Sequence, residues 1–278
     1  MYRIVFRDDL APKVHLFEIQ APAVAKKAKA GQFVVLRIDE RGERVPLTIA
    51  DYDRVKGTIT VVFMEVGKST HQLATLKAGD FIENFVGPLG LPTHIENFGT
   101  VVCVGGGFAT ATIMPVARSL KEAGNRVFSI IGARSQNLLF WEDKVRAASD
   151  ELIVTTDDGS YGRKGLVTEP LAELLQKEKV ARVFAIGPAI MMKFCARTAE
   201  PFGVKTIVSL NPIMVDATGM CGVCRVTVAN STKFACVDGP DFDGNEVNWD
   251  ELISRQKTYV EEEKRAFDLW LERQRVGV

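Results

Sequence analysis

Near residue 99 the hydrophobic rhythm of the chain changes, and this limits what it can fold into. Before that point, short segments alternate apolar and polar residues: "YRIVFRD", "KVHLFEIQ", "QFVVLRID", "VPLTIAD", "TITVVFMEV" and "DFIENFVG". Period-two alternation marks strands with one buried face, and Gly31, Gly42, Gly57 and Gly79 mark the turns between them. Six strands at this spacing predict a small antiparallel β-barrel, with "KSTHQLATLKAG" as a short helix before the last strand. Beyond it, "TVVCVGGG" is a continuous apolar run ending in three glycines, as a strand buried on both faces requires. Helices are predicted over 109–124, 137–148, 166–178 and 189–202, between strands "RVFSIIGA", "ELIVTT", "ARVFAIG" and "VKTIVSL". Strand–helix alternation predicts an α/β domain, a doubly wound parallel sheet covered on both faces. The segment "LPTHIENFG", 91–99, joins the two.

Residues 211–247 are Gly-rich and cysteine-bearing, without the periodicity of a self-sufficient core, so something must staple them. Cys221 and Cys224 stand in "MCGVCRV" and Cys236 follows in "KFACVDGP", while Cys103 and Cys195 lie far upstream. Three close thiols suggest a metal or cluster that needs a fourth ligand. Five cysteines among 278 residues argue against a disulfide scaffold and for a reducing cytoplasm. The N-terminus lacks the long apolar core of a signal peptide, and no apolar run approaches the ~18 residues of a membrane span. A formal net charge of zero gives no reason to expect nucleic acid or an anionic membrane as partner. The tail from 248 reads as helix, with Leu252, Tyr259, Phe267, Trp270 and Leu271 apolar in a charged stretch. Packing on its own domain and contact with a partner are equally open for it.

Open α/β sheets bind ligands at the C-terminal ends of their strands. Gly105, Gly106 and Gly107 fall there after the first strand of the second domain, where glycine lets a pyrophosphate approach the backbone. A tight strand-to-helix turn without a ligand reads the same way. Gly132, Ala133 and Arg134, then Asp157, Asp158 and Gly159, then Gly187, Pro188 and Met191 occupy the next three strand ends. Four such ends build a pocket rim. Arg134 suits an adenosine 2′-phosphate or stacking on adenine, and no acidic residue there holds a ribose diol, so NAD and NADP both remain open. In the barrel, Pro46 and Thr48 offer a rigid backbone and a hydroxyl. Gly67, Lys68, Ser69 and Thr70 form a turn suited to phosphate, or an ordinary helix cap.

Together these residues resemble the ferredoxin–NADP reductase superfamily, which pairs a flavin barrel with a nicotinamide domain. The order barrel, nicotinamide domain, cysteine segment resembles the electron-transfer subunit of dihydroorotate dehydrogenase, whose [2Fe–2S] cysteines are spaced C-x4-C-x2-C-x11-C. Cys221, Cys224 and Cys236 match the last three places, and the first falls on Asp216. "ERVPLTIAD", "EVGKST", "GPLG", "FWEDK", "TTDDGSYG", "GPAIMMK" and above all "SLNPIMVDATGMCGVCRVTV" are similar to the small subunits of NADH-dependent ferredoxin–NADP oxidoreductases, also known as sulfide dehydrogenase small subunits, over essentially the whole chain. In those electron-bifurcating enzymes aspartate is the fourth ligand.

That resemblance implies a multi-domain chain: an FAD barrel over 1–98, an NAD(P) domain over 99–210, a [2Fe–2S] segment over 211–247 and a helical tail over 248–278. It implies FAD held by Arg44, Pro46, Leu47, Thr48, Phe63, Met64, Glu65, Gly67, Lys68, Ser69 and Thr70, with Thr48 near flavin N5. It implies NAD(H) at Gly105, Gly106, Gly107, Phe108, Ala109, Ala133, Arg134, Asp157, Asp158, Gly159, Gly187, Pro188 and Met191. The cluster falls to Asp216, Cys221, Cys224 and Cys236, and electrons pass to a larger subunit that deals with ferredoxin and NADP(H). Two departures stand out. The superfamily pattern Arg-x-x-Ser/Thr would put arginine at Val45, and Arg44 lies one place earlier; the loop Gly-Gly-Gly-x-Gly ends here in Ala109. The alternatives are the dihydroorotate dehydrogenase subunit itself, which would carry cysteine at 216, and a zinc-stapled nucleotide-binding protein without redox activity.

Overall fold

The computed structural model describes residues 1–276. The N-terminal elements are β1 (Tyr2–Ala11), β2 (Val14–Gln20), α1 (Pro22–Ala25), β3 (Phe33–Arg37), β4 (Val45–Asp53), β5 (Thr58–Met64), α2 (Lys68–Ala74), β6 (Phe81–Ile82) and β7 (Asn84–Leu89). They form a seven-stranded antiparallel sheet in the order β6-β1-β2-β5-β4-β3-β7. The segment expected as one last strand is two. β6 pairs with β1 and β7 with β3, so the chain crosses from one sheet edge to the other and nearly closes the barrel. Inward side chains of alternating positions, Ile4, Phe17, Val34, Leu36, Ile49 and Phe63 among them, fill it.

Next come β8 (Thr100–Gly106), α3 (Thr110–Glu122), β9 (Arg126–Ala133), α4 (Glu142–Ala147), β10 (Glu151–Thr156), β11 (Arg163–Lys164), α5 (Thr168–Lys177), β12 (Val180–Ile186), α6 (Ala189–Ala199) and β13 (Lys205–Ser209). β8 to β13 pair in parallel. α4 is shorter than the 137–148 expected, because Trp141 takes a left-handed conformation at its start (φ 57). The final elements are β14 (Arg225–Val228), β15 (Ser231–Phe234), β16 (Asp241–Asp243), α7 (Trp249–Arg255) and α8 (Val260–Val276). β16 adds antiparallel to β13, giving the order β11-β10-β9-β8-β12-β13-β16. The strand order therefore reverses between β8 and β12, the place where an open α/β sheet leaves a crevice.

The tail is two helices. α7 packs Trp249 and Leu252 into the second core, and α8 turns back so that Phe267 meets His71 of α2 at 4.4 Å between ring centroids. The two sheets are tied by Arg118 of α3, whose Nη2 donates to Asp51 Oδ1 of β4 at 2.7 Å. Among the described residues no helix is long and apolar enough to cross a membrane.

Candidate functional site

One cavity of about 550 Å3 lies where the parts meet. Pro46 and Thr48 of β4 and Phe33 of β3 line it from the barrel. Phe108 and Ala109 line it from the loop after β8, and Gly187 and Pro188 from the loop after β12, the two sides of the switch point. Met214 and Pro240 of the cysteine segment and Gln256 after α7 complete it. Strand alternation explains the barrel's share: Val45 and Leu47 pack against the barrel core, so Pro46 and Thr48 face outward.

The glycines behind this cavity serve different ends. A Cβ on Gly106 would stand 2.3 Å from Met191 Sδ, and one on Gly187 would stand 2.7 Å from Met191 Cε. Met191 is thus a wedge between two loops, not a group reaching into the cavity. Gly107 has φ +60 and open space where a side chain would stand. Ala109 is buried and lines the cavity. Arg134, Asp157, Asp158 and Gly159 sit further out, at the ends of β9 and β10. The loops there are tied to each other, with Asp157 N donating to Ala133 O at 3.1 Å and Asp158 N to Arg134 O at 3.2 Å. Hydrogen bonds from Ser160 hold the Asp158 carboxyl below its ordinary range.

At the turn before α2, Ser69 Oγ donates to the Glu43 carboxylate, and Lys68 Nζ lies 3.9 Å from it. An intramolecular anion therefore sits on Lys68 and Ser69, which shows that this turn takes negative charge. Thr70 is used internally, accepting from Val66 N and Gly67 N at 2.9 and 3.1 Å. Met64 closes β5, half-buried, packed beside Val14, Leu16 and Val62. Two expected side chains face elsewhere. Phe63 lies in the barrel core against Phe17, and Glu65 is held by His15 Nε2 at 2.6 Å and His71 Nε2 at 3.4 Å. Arg44 Nη1 donates to Asp216 Oδ1 at 2.5 Å.

The cysteine segment rests on the outer face of β3. Cys224 and Cys236 are buried with Phe33, Val35, Ala217 and Ala235. The β14–β15 hairpin brings them together: Arg225 pairs with Phe234, and Ala235 N donates to Cys224 O at 3.1 Å. Cys221 is exposed on the loop above, where Gly219 and Gly222 both have positive φ. Backbone hydrogen bonds at Val223 and Asp216 pull its thiol below the ordinary value. Burial, then a hydrogen bond with Cys224 and the neighbouring charges of Cys224 and Cys221, pushes Cys236 up to about 12. Cys236 lies close enough to Cys224 and Cys221 to feel both of them, and cationic iron would relieve that repulsion. The donor set thus fits a cluster by its chemistry. Among the described residues no three His, Cys, Asp or Glu side chains converge on a single metal-ion position, and both oxygens of the Asp216 carboxylate are engaged, by Arg44 and Thr218. Cys103 and Cys195 are fully buried in apolar cores of the α/β domain, and burial raises both thiols, Cys195 to about 12.

Among the cavity residues that the sequence did not point to are Phe33, Met214, Pro240 and Gln256. Phe33 reads as an ordinary strand residue, and the others sit in stretches with no repeating pattern; only the "SLNPIMVD" resemblance pointed near Met214.

Comparison with known proteins agrees with this geometry. Residues 211–248 match the iron–sulfur cluster binding domain of dihydroorotate dehydrogenase B. A Thermotoga maritima protein named as a homolog of the dihydroorotate dehydrogenase B (NAD(+)) electron transfer subunit is 51% identical over 96% of this chain and 95% of its own length. A solved structure of the NADH-dependent reduced ferredoxin–NADP oxidoreductase, described in connection with flavin-based electron bifurcation, is 50% identical. It superposes with a TM-score of 0.93 over 98% of each chain. A ferredoxin NADP+ reductase from Neisseria gonorrhoeae with bound FAD and NADP shares the fold, with a TM-score of 0.62 at 20% identity, over 73% of this chain and 90% of that one. The chain belongs to the family of electron-transfer subunits that comprises those of dihydroorotate dehydrogenase B and the small subunits of NADH-dependent reduced ferredoxin–NADP oxidoreductase.

Proposed function

We propose that this chain is an oxidoreductase subunit that moves electrons between NAD(H), FAD and a [2Fe–2S] cluster and passes them to a larger partner subunit. The observation that carries this reading is the shared cavity. The flavin strand, the glycine loop, the β12 end and the cysteine segment all line it. FAD supplies the conversion between a two-electron hydride and single electrons. The chain's own residues bind and orient. Lys68 and Ser69 would hold the flavin phosphates in place of Glu43, and Thr48 would offer its hydroxyl near flavin N5. Gly107 would open the backbone to the dinucleotide, and Arg134 and Asp157 would hold its adenosine end. Cys221, Cys224, Cys236 and Asp216 hold the cluster on the outside of β3. No side chain is given a general acid or base role.

In this reading 1–98 is the flavin unit, 99–210 the nicotinamide unit, 211–247 the cluster segment and 248–278 the tail. The partner carries a second flavin and further clusters, and ferredoxin and NADP(H) react there, in the cytoplasm. This chain alone is an NADH-reactive diaphorase. The test is anaerobic purification with and without the partner. The expected outcome is a brown-yellow protein with flavin bands, an EPR signal after NADH reduction, and a co-purifying large iron–sulfur flavoprotein. A colourless, zinc-containing protein would end the redox reading, and a dihydroorotate-oxidising partner would move it to the other branch of the family.

A further inference from the structure

The two departures from the family motifs at the flavin strand and at the cluster meet in space. The flavin strand has Arg44 one place before the usual arginine position, and the cluster segment has Asp216 where the related subunit has cysteine. They are 172 positions apart in sequence, yet Arg44 Nη1 and Asp216 Oδ1 are 2.5 Å apart. Strand geometry accounts for the meeting. Val45 packs toward the barrel core, whereas Pro46 and Thr48 face the cavity. Arg44, the residue immediately before β4, has the parity of these outward-facing positions, and its guanidinium reaches Asp216. β3 lies beside β4 there, with Val35 opposite Pro46 and Phe33 opposite Thr48, and Phe33 and Val35 carry the cysteine segment. Thr218 Oγ1 donates to the other oxygen of Asp216.

We propose that Arg44 is a positioning residue for the cluster. Its guanidinium, together with the Thr218 hydroxyl, fixes the orientation of the Asp216 carboxylate five positions before Cys221, and its positive charge raises the reduction potential of a cluster bound there. A carboxylate that shares its charge with a guanidinium donates less to iron than a free one. A nearby cation also favours the more negative, reduced form. Arginine suits the task because it stays charged and its planar fork keeps direction. This inference rests on the cluster assignment made above.

The test uses the full chain purified anaerobically, with iron and flavin assays and an EPR-monitored redox titration. Arg44→Gln is expected to lower the midpoint potential by roughly 59 mV, a tenfold change in a one-electron equilibrium, and to alter the EPR line shape. Arg44→Lys keeps the charge and stays near the wild type, and flavin content is assayed in all three. Loss of iron from Arg44→Gln, with Arg44→Lys loaded and both proteins equally folded by circular dichroism, supports the same role. A wild-type potential and spectrum in Arg44→Gln, or loss of flavin with the cluster unchanged, overturns it. Loss of iron from both variants also overturns it. Wild-type protein that holds no iron and gives no signal on reduction refutes the cluster assignment itself, and this proposal with it.

Discussion

Gly107 has φ +60 with open space beside it, whereas Gly106 is packed against Met191. Adding a methyl at 107 therefore meets no protein atom, but it strains the backbone by about 1–2 kcal/mol and occupies the space where a dinucleotide backbone would pass. Gly107→Ala is expected to raise KM for NADH by about tenfold, corresponding to ~1.4 kcal/mol of lost binding. Flavin and iron contents should match the wild type. An unchanged KM in steady-state diaphorase assays would remove this loop from the nucleotide site. The three adjacent glycines were legible as a turn at a strand end. Their different duties were not, because Met191, which packs on Gly106 and leaves Gly107 open, comes from the distant first turn of α6, after β12.

The β14–β15 hairpin sets the spacing of Cys224 and Cys236, and its turn residues Ala229 and Asn230 both have positive φ, 49° and 59°. Two-residue hairpin turns of this hand prefer Asn or Gly, and alanine there is strained. Ala229→Gly is expected to raise the urea midpoint, with a gain of about 1 kcal/mol, and to leave the metal content as it was. A lowered midpoint would show that the turn contributes no strain. At the scale of elements, period-two and strand–helix patterns made the barrel and the parallel sheet readable, because burial imposes them on sequence. β16 was not readable: three residues, Asp-Phe-Asp, are strand only because β13 offers them an edge. The split of the last barrel strand and the break between α7 and α8 likewise follow from tertiary pairing, without a proline or glycine to announce them at 83 or 256–259. The cysteines of the candidate site were legible from spacing, whereas the partner of Arg44 was visible only after folding.

For the whole molecule, Asp241 is a junction. Its Oδ2 accepts from Thr93 Oγ1 of the connecting segment at 2.6 Å, and it pairs across strands with Ser209 of β13. Burial raises its carboxyl to about 6, against the opposing effect of hydrogen bonds from Thr93 and Ser209. The unfolded chain ionises near its reference value of about 3.9. Between these values the native state binds more protons than the unfolded one, so stability falls as pH rises through that window. Asp241→Asn keeps an oxygen for Thr93 and removes the titration. Relative to wild type, its unfolding free energy should improve from pH ~4 to ~6 and then level off, as read from urea titrations across pH. A difference independent of pH would refute it. The same strand has another consequence. The sheet ends at one edge in β16, Asp-Phe-Asp, and at the other in β11, Arg-Lys, each only two or three residues long. Short, charged margins leave no ribbon of backbone on which a stray chain can extend the sheet. The α/β half of the protein is thereby protected against amyloid-like stacking at high concentration, and its associations are left to side-chain surfaces.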